Sequence, residues 1–276
     1  MINWIVSYPK SGNTFLRLLL GDYFYSREDN IENFQFLTNI IQYPNSKFYK
    51  NLISSKQKFY DFLYCKKFWE EHQNILKKNN PFIKTHNTLF YKEECFTNSQ
   101  ITKSAIYIIR DPRNVFLSMK NYLMEDDNVI LDYMLGDVFR SEYPLNIKVQ
   151  HTHIGNWETN YLSWQKGIFL FPIKFVKYED LLKNTKEEFL KILLFLKDYN
   201  NFDINLDKIN SVVENNTFKK LSDKELKNGF PEASYNGKSK FFDKGPDRDF
   251  KKDLPKFISD QIESRFKDTM IKLNYL

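Results

Sequence analysis

A chain of 276 residues is long enough for one large α/β domain or two small ones, and either buries a substantial core. Its 41 basic and 35 acidic residues leave a net charge of +6, which suits an anionic small molecule. No long basic run argues for nucleic acid, because the lysines are mostly interleaved with acids.

Cys65 and Cys95 are the two cysteines and form no CxxC pair, so neither a disulfide framework nor a structural zinc site is expected, and a reducing compartment fits. The first strand follows Met1 almost directly, without a charged leader. Arg17 interrupts the first apolar stretch, and Pro172 and Lys174 interrupt the run over 168–176, so no membrane span is expected. The expectation is a cytoplasmic chain.

Asn3-Trp4-Ile5-Val6-Ser7 reads as a buried strand and Phe15 to Leu20 as helical, with a tight turn between them. Ser26 to Ser55 reads as loop with a short helical piece around Phe34 to Ile41. The apolar spacing over Lys56 to Lys78 predicts an amphipathic helix, ended by Asn79-Asn80-Pro81. Phe82 to His86 is a strand whose alternation puts Lys84 and His86 on one side. Ser104 to Ile109 is a continuous apolar run of the kind found in a parallel sheet, and Asp111-Pro112 reads as an N-cap and first position of a helix to about Leu123.

Further helices are predicted over Asp126 to Gly136 and Asn156 to Lys166, with loop from Glu142 to His153. A strand over Pro172 to Tyr178 leads to a helix capped at Asn184 or Thr185 that runs to about Tyr199. Leu206 to Val213 and Thr217 to Leu226 follow as helices, Asn228 to Asp249 as a long loop, and a last helix begins at Pro255. Strands alternating with helices predict a single α/β domain over 1–276, with a central, mainly parallel sheet flanked by helices.

The turn Tyr8-Pro9-Lys10-Ser11-Gly12-Asn13-Thr14 points backbone N–H groups and a helix N-terminus at one spot, which suits a phosphate. Lys10 adds an ammonium; Ser11 and Thr14 add hydroxyls. The order is not GxxxxGK[ST], since Lys10 precedes Gly12. Instead it resembles the 5′-phosphosulfate loop of sulfotransferases that use 3′-phosphoadenosine 5′-phosphosulfate (PAPS). Lys84-Thr85-His86 resembles the Lys-x-His element of that family, and Arg110 with Ser118 resembles its 3′-phosphate element. Lys177-Tyr178-Glu179-Asp180, Asn216-Thr217-Phe218 and Gly155-Asn156-Trp157 are similar to further family segments. Lys244-Gly245 matches a C-terminal loop in which Asp243 stands where the family has arginine; Arg248 is a candidate to supply that charge.

The resemblance implies a P-loop-like phosphosulfate loop and a mechanism. His86 takes the acceptor proton while Lys10, with Lys84, neutralises the leaving phosphate. Lys10, Ser11, Gly12, Asn13, Thr14, Phe15, Arg110, Ser118, Tyr178, Thr217, Phe218, Lys244 and Gly245 would bind PAPS and its product PAP. Phe15 and Phe218 would flank adenine, although both are equally readable as core. The implied acceptor is a small molecule or glycan, and no metal is needed because a sulfonyl group carries less charge than a phosphoryl. His151 and His153 either border the acceptor pocket or lie on a surface loop. Two other readings stay open: a P-loop kinase, and a protein that binds 3′-phosphoadenosine nucleotides without catalysis.

Overall fold

Six residues without polar alternation, Ile2–Ser7, form β1, and all six are buried, as strands covered on both faces are in parallel sheets. The computed structural model describes residues 1–27, 32–44, 69–70, 72–77, 81–91, 93–136, 152–233, 240–245 and 249–276. After β1 come α1 (Asn13–Tyr25), a 3-10 turn at Gln35–Asn39, β2 (Ile41–Gln42), β3 (Phe82–Thr85), β4 (Phe90–Tyr91), β5 (Glu94–Cys95) and β6 (Thr102–Ile109). Next are α2 (Pro112–Leu123), α3 (Asp127–Leu135), α4 (Trp157–Lys166), β7 (Ile173–Lys177), α5 (Tyr178–Lys183) and α6 (Thr185–Tyr199). The chain continues through α7 (Leu206–Asn215), α8 (Phe218–Asn228), α9 (Phe250–Asp253) and α10 (Lys256–Lys272).

The five-stranded sheet runs in the order β2-β3-β1-β6-β7. β1 and β2 both pair parallel with β3, setting Ile5 against Lys84 and Ile41 against Ile83. This is the expected α/β architecture with a mostly parallel sheet. The chain groups into two compact units, Met1–Tyr8 with Ile40–Tyr107 and Gly136–Phe175 in the first, and Pro9–Asn39 with Ile108–Leu135 and Val176–Leu276 in the second. In the first, Trp4 and Trp69 each pack their rings 5.2 Å from Phe96. In the second, Leu18, Phe34, Phe36, Leu37, Leu221, Phe230 and Phe242 form one apolar cluster.

Local chemistry explains the helix ends. Asp111 accepts from the Arg113 N–H and Pro112 opens α2, as the sequence implies. Asn184 takes the N-cap position of α6 but makes no side-chain cap bond; its own N–H already closes α5 onto Asp180. The piece around Phe34 to Ile41 resolves into a 3-10 turn followed by β2. β2 and the β4–β5 hairpin escape sequence reading because two-residue strands carry no period. Of the helix expected over 56–78, residues 69–70 and 72–77 are helical, whereas 56–68, 71 and 78 lie outside the described residues. His151 and Arg248 lie outside them as well.

Candidate active site

In the first unit the candidate side chains lie in β3 and just after it. Lys84 is 7% exposed and His86 9%. His86 Nδ1 stands 2.7 Å from the carbonyl oxygen of Ser7 and 3.4 Å from its hydroxyl. A carbonyl oxygen can only accept, so Nδ1 carries a proton, and in the neutral ring the lone pair falls on Nε2. Beyond the strand end the Asn87 N–H donates to Thr85 Oγ1 at 3.1 Å, a local side-chain turn that stops the extended backbone.

His153 is 2% exposed, which removes it from the surface-loop reading. Its Nδ1 meets Thr88 Oγ1 at 2.6 Å, its N–H donates to Asn87 Oδ1 at 2.8 Å, and its ring lies 4.4 Å from that of Tyr91.

The second unit holds the loop between β1 and α1. Lys10 has φ 64 and Gly12 φ 104, so the turn passes twice through left-handed backbone, once at a residue with a Cβ. Gly12 is required twice over, since a Cβ there would stand 2.1 Å from Cδ2 of Tyr178. Ser11 is fully buried, and its hydroxyl has no hydrogen-bond partner among the described residues.

Arg110 Nη1 donates to the Lys10 carbonyl at 3.2 Å, and its guanidinium lies 4.6 Å from the Tyr178 ring. Phe15 meets the same ring edge-on at 6.4 Å. The structure thus brings Lys10, Gly12, Phe15, Arg110 and Tyr178 together. The Lys10 ammonium sits 3.9 Å from the Tyr122 ring centroid and 4.3 Å from that of Phe241. Ser118, half-buried, lies one turn before Tyr122 on α2, so the two share a face.

The remaining candidates are spread around this group. Phe218 and Phe15 both pack against the apolar cluster of this unit, and a Cβ on Gly245 would stand 2.1 Å from Phe218 Cε2. Thr217 is exposed at the start of α8 without a cap bond. Lys244 pairs with Asp253 at 2.9 Å, and Asp243 is exposed.

Next to Arg110 lies a partly buried network. Arg113 bonds both Asp111 oxygens, Glu263 at 2.7 Å and the Tyr275 carbonyl at 2.6 Å. Glu179 accepts from the Asp111 N–H at 3.0 Å and from the Tyr275 hydroxyl at 3.1 Å. Burial pushes the Glu179 carboxyl above its ordinary range in spite of those donors. Of the two neighbouring arginines, Arg113 is therefore committed to protein carboxylates.

Sequence reasoning missed Glu232, Tyr122 as a partner of Lys10, and Phe241. Thr14 donates to Glu232 Oε2 at 2.9 Å, and Arg17 pairs with Oε1 of the same carboxylate. No local signal marks Glu232, which lies in the aperiodic loop after α8.

Together these features define an α/β protein with a phosphate-type loop after its first strand. The model of the sulfotransferase domain matches residues 3–274, and the chain belongs to that family of sulfotransferase enzymes. Sulfotransferase 1E1 of Mus musculus is 22% identical over 275 residues, 96% of this chain and 82% of that protein. Sulfotransferase 1A1 of Rattus norvegicus is 23% identical over 205 residues, 70% of this chain and 64% of that protein.

The fold is shared with a retinol dehydratase solved with androsterone and inactive cofactor PAP, at TM-score 0.60 and 16% identity, over 97% of this chain and 80% of that one. It is shared equally with mouse sulfotransferase SULT7A1 complexed with PAP, at TM-score 0.59 and 22% identity, over 98% and 83%. Among the described residues no helix is long and apolar enough to cross a membrane, and no group of three or more His, Cys, Asp or Glu is placed to hold a metal.

Proposed function

We propose that this chain, acting as one domain, moves the sulfonyl group of PAPS onto a hydroxyl or amine of a small-molecule or glycan acceptor, with His86 as general base. The observation that carries the reading is the 2.7 Å contact from His86 Nδ1 to the Ser7 carbonyl, which in the neutral ring puts the basic lone pair on Nε2, the atom that would take the acceptor proton. The acceptor oxygen or nitrogen forms a bond to sulfur, the bond from sulfur to the phosphate oxygen breaks, and PAP departs. Lys10, with Lys84, offsets charge growing on that phosphate oxygen.

The loop residues fit the 5′ end of such a nucleotide. Ser11 offers a buried hydroxyl without a partner among the described residues, and Gly12 leaves its backbone N–H approachable where any side chain would collide with Tyr178. Asn13, at the start of α1, extends the row of N–H donors, and Thr14, whose hydroxyl proton goes to Glu232, adds its backbone N–H. Arg110 and Ser118 are assigned to the 3′-phosphate, Tyr178, Phe15, Thr217 and Phe218 to the adenosine, and Lys244 and Gly245 to the outer side of the nucleotide. The neighbours solved with PAP and with androsterone or retinol support both the nucleotide and an apolar alcohol as acceptor chemistry.

Calorimetry of PAP against AMP tests the donor site, and transfer from PAPS across a panel of phenols, sterols and sugars tests the reaction. PAP should bind at least about 100-fold more tightly than AMP, as two charge-assisted contacts to one more phosphate imply. His86→Gln should lower turnover by about 100-fold or more without changing PAP affinity. Equal affinity for PAP and AMP would refute the donor assignment, and an active His86→Gln the role of the base.

A further inference from the structure

We infer that α4 holds the backbone that carries His86, and that Asn160 is a positioning residue for the transfer. Residues 86–88 belong to neither strand nor helix, so their peptide groups need partners from elsewhere. Three α4 side chains supply them. Asn160 Nδ2 donates to the His86 carbonyl at 2.9 Å, Trp164 Nε1 donates to the Asn87 carbonyl at 2.8 Å, and Ser163 Oγ accepts from the Leu89 N–H at 3.0 Å. Their spacing of three and four residues places them on one helix face, and all are buried, Asn160 and Trp164 completely.

Of the three, Asn160 bonds the carbonyl of His86 itself. The second proton of its amide goes to the Ile154 carbonyl at 2.7 Å, and its Oδ1 accepts from the Tyr107 hydroxyl at 2.8 Å. Two carbonyls on one side and a hydroxyl on the other fix the amide's orientation, and no other side chain of this size offers two donors and an acceptor in one plane. Burial holds the Tyr107 phenol well above its ordinary ionisation range, so it stays a donor. His86 is thus gripped at both ends, its ring by Ser7 and its backbone carbonyl by Asn160. A displacement of about 1 Å at a reacting group costs on the order of 100-fold in rate.

The inference rests on His86 being the base, and its test separates the two. The chain has four histidines, so nitrogen-15 histidine NMR of the whole 276-residue chain resolves each ring, with His86→Gln assigning the resonance. His86 should show a single neutral tautomer protonated at Nδ1. In Asn160→Ala the two tautomers should mix, and turnover of PAPS with 4-nitrophenol should fall about 100-fold with KM for PAPS and affinity for PAP unchanged. Tyr107→Phe removes one hydroxyl at nearly constant volume; it should move the same resonance the same way and serves if Asn160→Ala does not fold.

Wild-type His86 resonances in both variants would overturn the positioning role. That readout needs no turnover. Loss of His86 order together with full activity in His86→Gln would instead keep the positioning and refute the base.

Discussion

A Cβ added to Gly12 would stand 2.1 Å from Cδ2 of Tyr178, so the ring of the residue after β7 occupies the space that a side chain on the phosphate-type loop would need. Gly12→Ala meets this collision together with a φ of 104, which alone costs about 1–2 kcal/mol for an L side chain. Denaturant unfolding should show a loss of at least about 2 kcal/mol. Tyr178→Ala in the same background should recover part of it, since it removes the collision and leaves the backbone strain.

Ser11→Ala should behave in the opposite manner. The hydroxyl is buried and has no hydrogen-bond partner among the described residues, so its removal should leave stability within about 0.5 kcal/mol of wild type or raise it. If the hydroxyl serves a phosphate, PAP affinity measured by calorimetry should fall about tenfold. A stable variant with unchanged affinity would remove Ser11 from the site.

The Lys10 ammonium lies between the rings of Tyr122 and Phe241. Each ring contributes about 0.5–2 kcal/mol to holding a cation, and together they restrain a long flexible stem. Phe241→Leu should therefore lower kcat about three- to tenfold with little change in KM for PAPS, while Phe241→Trp should retain most of the rate. Steady-state kinetics with a fixed acceptor reads both.

Glu179 sets a pH dependence of stability. Burial raises its carboxyl above the ordinary 4.5 in the folded chain, so the folded state binds the proton more tightly than the unfolded one. Its contribution to stability is full below that ordinary value and is lost as pH rises through the folded value. Thermal unfolding from pH 4.5 upward should show this decline. Glu179→Gln, which can still accept from the Asp111 N–H, should flatten it.

The sheet was legible because its inner strands are continuous apolar runs, and α2 because Asp111 and Pro112 mark its start chemically. The elements that slipped through were those without period, β2 and the β4–β5 hairpin. The same division holds at the site. Lys10, Gly12, Phe15, Arg110 and Tyr178 are brought together as one group because each sits at a fixed offset from a strand end, where local order dictates position. Tyr122, Phe241 and Glu232 reach the group through helix faces and loops, and their contacts depend on the tertiary arrangement of side chains far apart in sequence. Asn160 shows the same limit: its place on a helix is readable, but its amide's partners at His86, Ile154 and Tyr107 are not.

The bond from Thr14 to Glu232 joins residues 218 positions apart. During synthesis from the N-terminus at roughly 5–20 residues per second, about 10–45 s separate the emergence of the two. For that interval the nascent segment has its lysine and glycine but lacks the carboxylate that tethers its threonine and arginine. Completion of this loop therefore waits until residue 232 has been made, and a polypeptide truncated before it would leave the ribosome with that tether missing.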